Sequence, residues 1–253
     1  MSVESDENQN KLNILPESTR LEKDTMGAIE IETSRYWGAQ TERSRRNFKR
    51  GTERIPLELI YAFAYLKHTA AEVNGDLRLL KPEWVDAIQT AANEIIDGKF
   101  DTHFPLVVWQ TGSGTQTNMN LNEVIARRSN ELLGLEHVIH PNDHVNMGQS
   151  SNDSFPTAMH IAAALSIHNR LLPALNHAHK ILVDKATDFS NIIKVGRTHL
   201  QDATPITLGQ EFSAYAAQIR SNLDRIKSTV AGIYSLAQGG TAVGTGLNCP
   251  KGF

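Results

Sequence analysis

This sequence has few of the features that would mark a secreted, nucleic-acid-binding or membrane protein. Its 253 residues include one cysteine, Cys249, so no disulfide can form within the chain and we expect a reducing compartment. The formal net charge of -3 gives no basic surface for nucleic acid or an anionic membrane. No apolar run approaches the roughly 20 residues needed to cross a bilayer. We therefore expect a soluble protein with no nucleic-acid or membrane partner.

The N-terminal residues also lack a targeting signal. Residues 1–24 are acidic and polar, without the apolar segment of a signal peptide or the Arg-rich bias of a transit peptide. This composition predicts a flexible arm and a cytoplasmic location. Residues 25–51 have no sustained period and are predicted to be irregular, with short strands.

Helical periodicity is what the sequence has in abundance. Apolar spacings of three and four predict helices over 56–75, 82–96 and 121–133, each ended by a glycine. Together they predict an N-terminal helical domain over 25–139.

Two longer helices are predicted in a central bundle domain over 140–253. The first covers 154–186, with Ser154 as its N-cap and a kink at Pro173. The second has an a/d seam, formed by Phe212, Ala216, Ile219, Leu223, Ile226, Val230 and Ile233. The fold class is therefore mainly α, with a long-helix bundle that is shared between subunits or, alternatively, monomeric.

Three polar segments, over 111–120, 140–153 and 196–205, precede predicted helices. Helix N-termini carry unpaired N–H groups and a partial positive charge, so these segments suit a carboxylate. Their hydroxyl and amide side chains are also what ordinary helix capping requires. Taken singly, each segment leaves both interpretations open.

Two other motifs are weaker. The glycines of "GGTAVGTG" (239–246) match neither a dinucleotide-binding fingerprint nor a P-loop. His140, Asp143 and His144 could be metal ligands, but Pro141 disrupts a regular helix face and no second ligand cluster is present. The sequence therefore predicts no metal and no cofactor.

Four blocks together carry a specific resemblance: "TGSGTQTNMNLNEV", "HPNDHVNMGQSSNDSFPTAMH", "GRTHLQDATPITLGQEFSAY" and "GGTAVGTGLN". They resemble successive blocks of class II fumarate hydratase, in the fumarase/aspartase superfamily, and occur in the family's order. His199 separates the alternatives, because aspartate ammonia-lyases typically have glutamine there. The resemblance implies a hydro-lyase acting on fumarate and malate, in a homotetramer whose sites are shared between subunits.

The resemblance also implies roles for particular residues. His199 is the expected proton donor and acceptor. The expected substrate-binding residues are Ser113, Gly114, Thr115, Asn118, Ser150, Ser151, Asn152 and Thr198. A secondary dicarboxylate site is implied at His140, Pro141, Asn142 and Asp143. Such chemistry needs no metal or redox cofactor, since neutral donors can stabilise the aci-carboxylate while histidine exchanges protons.

One family motif is missing. The "GSSxMPxKxN" loop, which supplies a serine and a lysine in the family, does not occur in this sequence. The chain therefore resembles an N-terminal fragment with an incomplete bundle domain, which we do not expect to be active alone. The alternative is a noncatalytic module for helical oligomerisation or dicarboxylate binding.

Overall fold

The first elements form a hairpin and a short helix. A computed structural model describes residues 18–253, beginning with the antiparallel strands β1 (Thr19–Asp24) and β2 (Gly27–Glu32). Helix α1 (Ala39–Asn47) follows. The predicted arm is thus wrong for the residues of β1, while residues 1–17 lie outside the described part. The irregular prediction for 25–51 missed α1, whose sequence has no apolar stripe.

Three helices build the core. They are α2 (Leu57–Asp76), α3 (Pro82–Ile96) and α4 (Thr115–Leu132), and all three were predicted. Helix α4 begins six residues before the predicted start at Leu121, because its first turns bury polar side chains that apolar periodicity cannot detect. The fully buried residues of the core that these helices share include Phe63, Ile60, Ile88, Ile95, Leu121 and Ile125.

The predicted long helix over 154–186 is two helices joined by a wider turn. Helix α5 (Ser151–Ser166) continues through a π-helical segment (Ile167–Leu171) into α6 (Leu172–Asp188). The N-cap is Ser150, not the predicted Ser154, because the Asp153 carboxylate completes a capping box with it. Pro173, where a kink is predicted, lies in the first turn of α6, directly after the π-helical segment.

The polar segment over 196–205 forms most of a β-hairpin, which the sequence analysis did not predict. Strands β3 (Ile193–Thr198) and β4 (Gln201–Thr207) pair antiparallel and lead into α7 (Leu208–Val230). A two-residue turn with side chains at both central positions lacks the Asn-Gly signal by which hairpins are recognised in a sequence.

The seam of α7 is confirmed within residues 208–230: Ala216, Leu223 and Val230 are buried, and Phe212 is half-buried. It packs against α6, yet α6 has no buried residue of its own. Half-exposed apolar side chains such as Ile181 and Val183 lie on α6. The bundle half of the chain therefore leaves apolar surface uncovered. Its separation at residue 140 from an N-terminal domain stays a prediction.

Across the described range, 18–253, no helix combines the length and apolar character required to span a bilayer.

Candidate functional site

Two of the three polar segments meet through their hydroxyl groups. Ser113 Oγ lies 3.0 Å from Thr115 Oγ1, which lies 2.9 Å from Ser151 Oγ. Thr115 is the first residue of α4 and Ser151 the first of α5. We call these three side chains the hydroxyl cluster. It lies where the positive ends of two helix dipoles come together, an arrangement that suits a carboxylate.

Close packing holds the two helix starts together. Gly114 is the N-cap of α4 and has a left-handed backbone, with φ of 72°. A Cβ added there would overlap the Phe155 ring of α5. Phe155 in turn packs on Phe63 of α2, with ring centroids 6.0 Å apart. The hydroxyl cluster therefore rests on the apolar core.

The glycine-rich segment over 239–246 is held against the start of α5. The Asp153 carboxylate accepts hydrogen bonds from the backbone N–H groups of Gly239 at 3.2 Å and Thr241 at 2.8 Å. Asn152 Nδ2 donates to the carbonyl oxygen of Ala242 at 2.8 Å. This segment, given no role by its motif alone, is thus an immediate neighbour of the predicted residues Ser150–Asn152.

Below the cluster lies a lysine that the sequence analysis missed. Lys67 of α2 is fully buried, and its ammonium donates to Asn146 Oδ1 and to Gln149 Oε1, both at 2.9 Å. Asn146 Oδ1 also accepts from Asn118 Nδ2 at 3.1 Å and from Asn122 Nδ2 at 3.3 Å. We call Asn118, Asn122, Asn146 and Gln149 the amide network. The predicted binding residue Asn118 is therefore connected to Lys67 through one side chain.

The surroundings of Lys67 determine its protonation. Burial lowers the pKa of its ammonium to about 7, while the field of the Asp153 carboxylate opposes the shift. Its hydrogen-bond partners are neutral amides, which compensate a buried charge less than a carboxylate does. The position could have been recognised from the sequence, because Lys67 shares a helix face with Phe63, Ala64, Ala70 and Ala71, which are all buried.

We expect the stability of the chain to rise with pH above 7 because of Lys67. Its folded pKa of about 7 lies below its ordinary value of 10.5, so the unfolded chain binds more protons between these two pH values. The free energy of unfolding should increase there by up to about 1.4 kcal/mol per pH unit. Urea unfolding at about pH 7.5 and pH 9 measures this slope.

The variant Lys67→Met identifies the source of that slope. It should unfold with a flatter pH dependence, whereas Lys99→Met, which removes a half-exposed lysine, should keep the original slope. Equal slopes for all three proteins would mean that Lys67 keeps an ordinary pKa in the folded chain.

The third polar segment lies elsewhere. His199 and Leu200 form the tip of the β3–β4 hairpin, with φ of 52° and 64°, directly after Thr198. From the hydroxyl cluster, α5 and α6 run for roughly 55 Å before the hairpin begins. Strands as short as β3 and β4 extend only about 20 Å. Within one chain, Thr198 and His199 are therefore not brought to the other predicted site residues.

The His140–Asp143 run has a separate location. It opens a π-helical segment (Pro141–Val145), in which His140 Nδ1 accepts from the Asp143 backbone N–H at 3.2 Å. His140, Pro141 and Asn142 line a cavity of about 680 Å³ beside β1 and α4. The hydroxyl cluster does not line it, so the cavity is distinct from the predicted catalytic site.

Within residues 18–253, no group of three or more His, Cys, Asp or Glu side chains is arranged to hold a metal ion.

A family profile described as "Lyase" matches residues 27–253, so the chain belongs to this lyase family.

Three curated proteins similar to this chain are all named fumarate hydratase. Fumarate hydratase class II 2 of Bradyrhizobium diazoefficiens is 61% identical over 240 residues, which are 93% of this chain and 51% of that protein. Fumarate hydratase class II of Rhizobium meliloti is 60% identical over 93% of this chain and 52% of its own length. The mitochondrial fumarate hydratase of Rhizopus oryzae is 59% identical over 92% and 48%. The chain spans about half the length of these relatives.

Solved structures agree. The recombinant class II fumarase of Schistosoma mansoni matches with a TM-score of 0.90 and 49% identity, over 93% of this chain and 50% of that one. The cobalt-bound fumarate lyase:delta crystallin of Brucella melitensis matches with a TM-score of 0.87 and 42% identity, over 92% and 52%. The mainly α fold class and the resemblance to class II fumarate hydratase are thus confirmed.

Proposed function

We propose that this chain is part of a fumarate hydratase, which interconverts fumarate and (S)-malate in the citric acid cycle. The hydroxyl cluster of Ser113, Thr115 and Ser151 at two helix N-termini carries the proposal, in a chain about 60% identical to proteins named fumarate hydratase. The same residues belong to the segments that resemble the family's substrate-binding blocks.

The proposed chemistry follows from these groups. When malate loses water, a proton leaves the carbon next to one carboxylate, and the electron pair moves onto that carboxylate to give an aci-carboxylate. As the double bond forms, hydroxide leaves the neighbouring carbon and takes up a proton as water. Neutral donors and helix N-termini stabilise the added negative charge in a site that excludes water. Imidazole exchanges protons efficiently near neutral pH, which suits His199 for the transfer.

We infer that several subunits build one site. His199 lies at a hairpin tip that a single chain keeps far from the hydroxyl cluster, and α6 leaves apolar side chains half-exposed. Association of copies, in a homotetramer as the resemblance implies, would bring hairpins to clusters and cover these side chains. We further propose a cytoplasmic location and a secondary dicarboxylate site at His140–Asp143.

The backbone of His199 supports a functional role. A residue other than glycine with positive φ is held at a cost in free energy, and such positions concentrate at functional sites. Asparagine tolerates this conformation better than histidine does.

We therefore expect His199→Asn to keep or slightly raise the stability of the hairpin while lowering turnover at least about 100-fold. Malate dehydration, followed by fumarate absorbance, measures turnover in two forms: this chain alone, and this chain co-expressed with the remaining half of the Rhizobium meliloti enzyme. The wild-type residue at 199 is the reference in both.

The outcomes separate the candidate functions. Turnover in either form, lost in His199→Asn, supports fumarate hydratase. Ammonia release from aspartate in its place would favour an aspartate ammonia-lyase. If neither form turns over malate but the chain still associates through its exposed α6, it is a noncatalytic oligomerisation module.

A further inference from the structure

Lys67 combines properties that a purely structural residue does not need. Its side chain is fully buried from solvent. Its two hydrogen bonds go to neutral amide oxygens and not to a carboxylate. Buried charges are ordinarily paired with an opposite charge. An anion bound at the nearby hydroxyl cluster would supply the opposite charge that the neutral amides do not.

The amide network transmits the orientation set by Lys67. Because the ammonium can only donate, it holds the Oδ1 atom of Asn146 toward itself, and Asn146 Nδ2 donates to the Gln149 carbonyl oxygen at 3.1 Å. Asn118 and Asn122 must then turn their Nδ2 groups toward Asn146. Their buried Oδ1 atoms have no protein partner among the described residues. The charge of Lys67 therefore decides which amide atoms of the network donate and which accept.

The network leads directly to the hydroxyl cluster. The Asn118 backbone N–H donates to the carbonyl oxygen of Gly114 at 3.0 Å, within the first turn of the helix that Thr115 begins. On the other side, Gln149 immediately precedes Ser150, the N-cap of α5. Lys67 thus holds, through one side chain each, the two segments whose hydroxyls form the cluster.

We propose that Lys67 is a positioning residue of the dicarboxylate site: its buried ammonium sets the orientation of the amide network beneath the hydroxyl cluster and supplies positive charge that a dianionic substrate stabilises. This inference rests on the proposed function. The groups that face the ammonium are the neutral amides of Asn146 and Gln149, the Phe63 ring of α2 at 5.5 Å, and, through its field, the Asp153 carboxylate of α5. A bound substrate adds negative charge to that of the Asp153 carboxylate, and this added charge favours the protonated form of Lys67.

The test compares Lys67→Met with Lys99→Met in whichever form turns over malate in the assay above. We expect Lys67→Met to raise the KM for malate at least tenfold with a smaller effect on kcat. In the unsubstituted form KM should rise as pH increases through about 7, because the ammonium loses its proton there; in Lys67→Met this rise should be absent. Lys99→Met should leave KM and its pH profile unchanged.

A second variant covers the case in which Lys67→Met does not fold. Asn146→Asp keeps an oxygen acceptor for Lys67 and adds a permanent counterion, so it should fold but bind malate at least tenfold less tightly. Folded Lys67→Met or Asn146→Asp protein with KM within twofold of the unsubstituted form would overturn the inference, as would a loss of kcat alone, which indicates fewer folded sites. If the unsubstituted form has no turnover in either setting, the proposed function itself fails and this inference fails with it.

Discussion

Gly114→Ala should destabilise the chain by about 2–5 kcal/mol. The left-handed backbone at Gly114 would cost a side chain roughly 1–2 kcal/mol, and the new methyl group would overlap the Phe155 ring. Such overpacking adds roughly 1–3 kcal/mol. Phe155 packs on Phe63 in the core, which limits how far the ring can move away from the new methyl group. Urea unfolding monitored by circular dichroism measures the change in the free energy of unfolding.

Gly112 supplies the matched control two residues away. A Cβ added there would meet nothing within 4 Å, and its backbone lacks positive φ. Gly112→Ala should therefore change the free energy of unfolding by less than about 0.5 kcal/mol. If the two variants proved equally stable, the contact between the α4 start and Phe155 would be wrong.

Glu123→Ala should be destabilising by about 1–3 kcal/mol, the range for leaving buried hydrogen-bonding groups without their partner. The Glu123 carboxylate accepts from the backbone N–H groups of Gly38 at 2.9 Å, Gln40 at 2.8 Å and Thr41 at 3.1 Å. It thereby caps the start of α1, which has no side-chain cap of its own. Alanine would leave these N–H groups without their acceptor.

Glu123→Gln gives a graded result, because its amide oxygen can still accept while its NH₂ group cannot. We expect a loss between those of Glu123→Ala and the exposed control Glu72→Gln, which should be near zero. Thermal unfolding would rank the three. A Glu123→Ala protein as stable as the control would mean that α1 needs no cap from α4.

Helices with an apolar stripe were predictable from local sequence, and those without one were not. The seam of α7 is set by residues three and four apart on one helix, so period alone reveals it. Helix α1 has no such stripe, and its cap comes from Glu123, more than 80 residues later in the chain. Nothing local to Ala39–Asn47 records that interaction.

The β3–β4 hairpin shows a different limit. Its turn consists of His199 and Leu200, both with positive φ, where local preference would place Asn-Gly. The sequence therefore gives no signal for a hairpin. A turn that conflicts with local preference is set by the surrounding structure.

The candidate site divides in the same way. Hydroxyl and amide residues at helix starts can be recognised in the sequence, because capping and anion binding both select them. That Thr115 and Ser151 are neighbours could not be inferred from spacing, since it depends on how α4 and α5 pack through Gly114 and Phe155. The resemblance grouped these segments; the packing explains how two of them meet.

The amino-acid sequence by itself determined the helical class, the positions of the long helices, the polar segments at their starts and the family to which they belong, because each is written in residue type and local period. Only the tertiary structure decided which segments meet, that Lys67 lies buried beneath them, and that His199 lies far away on a hairpin tip. Those facts depend on contacts between residues distant in the chain, where packing and burial, not local preference, set the free energy.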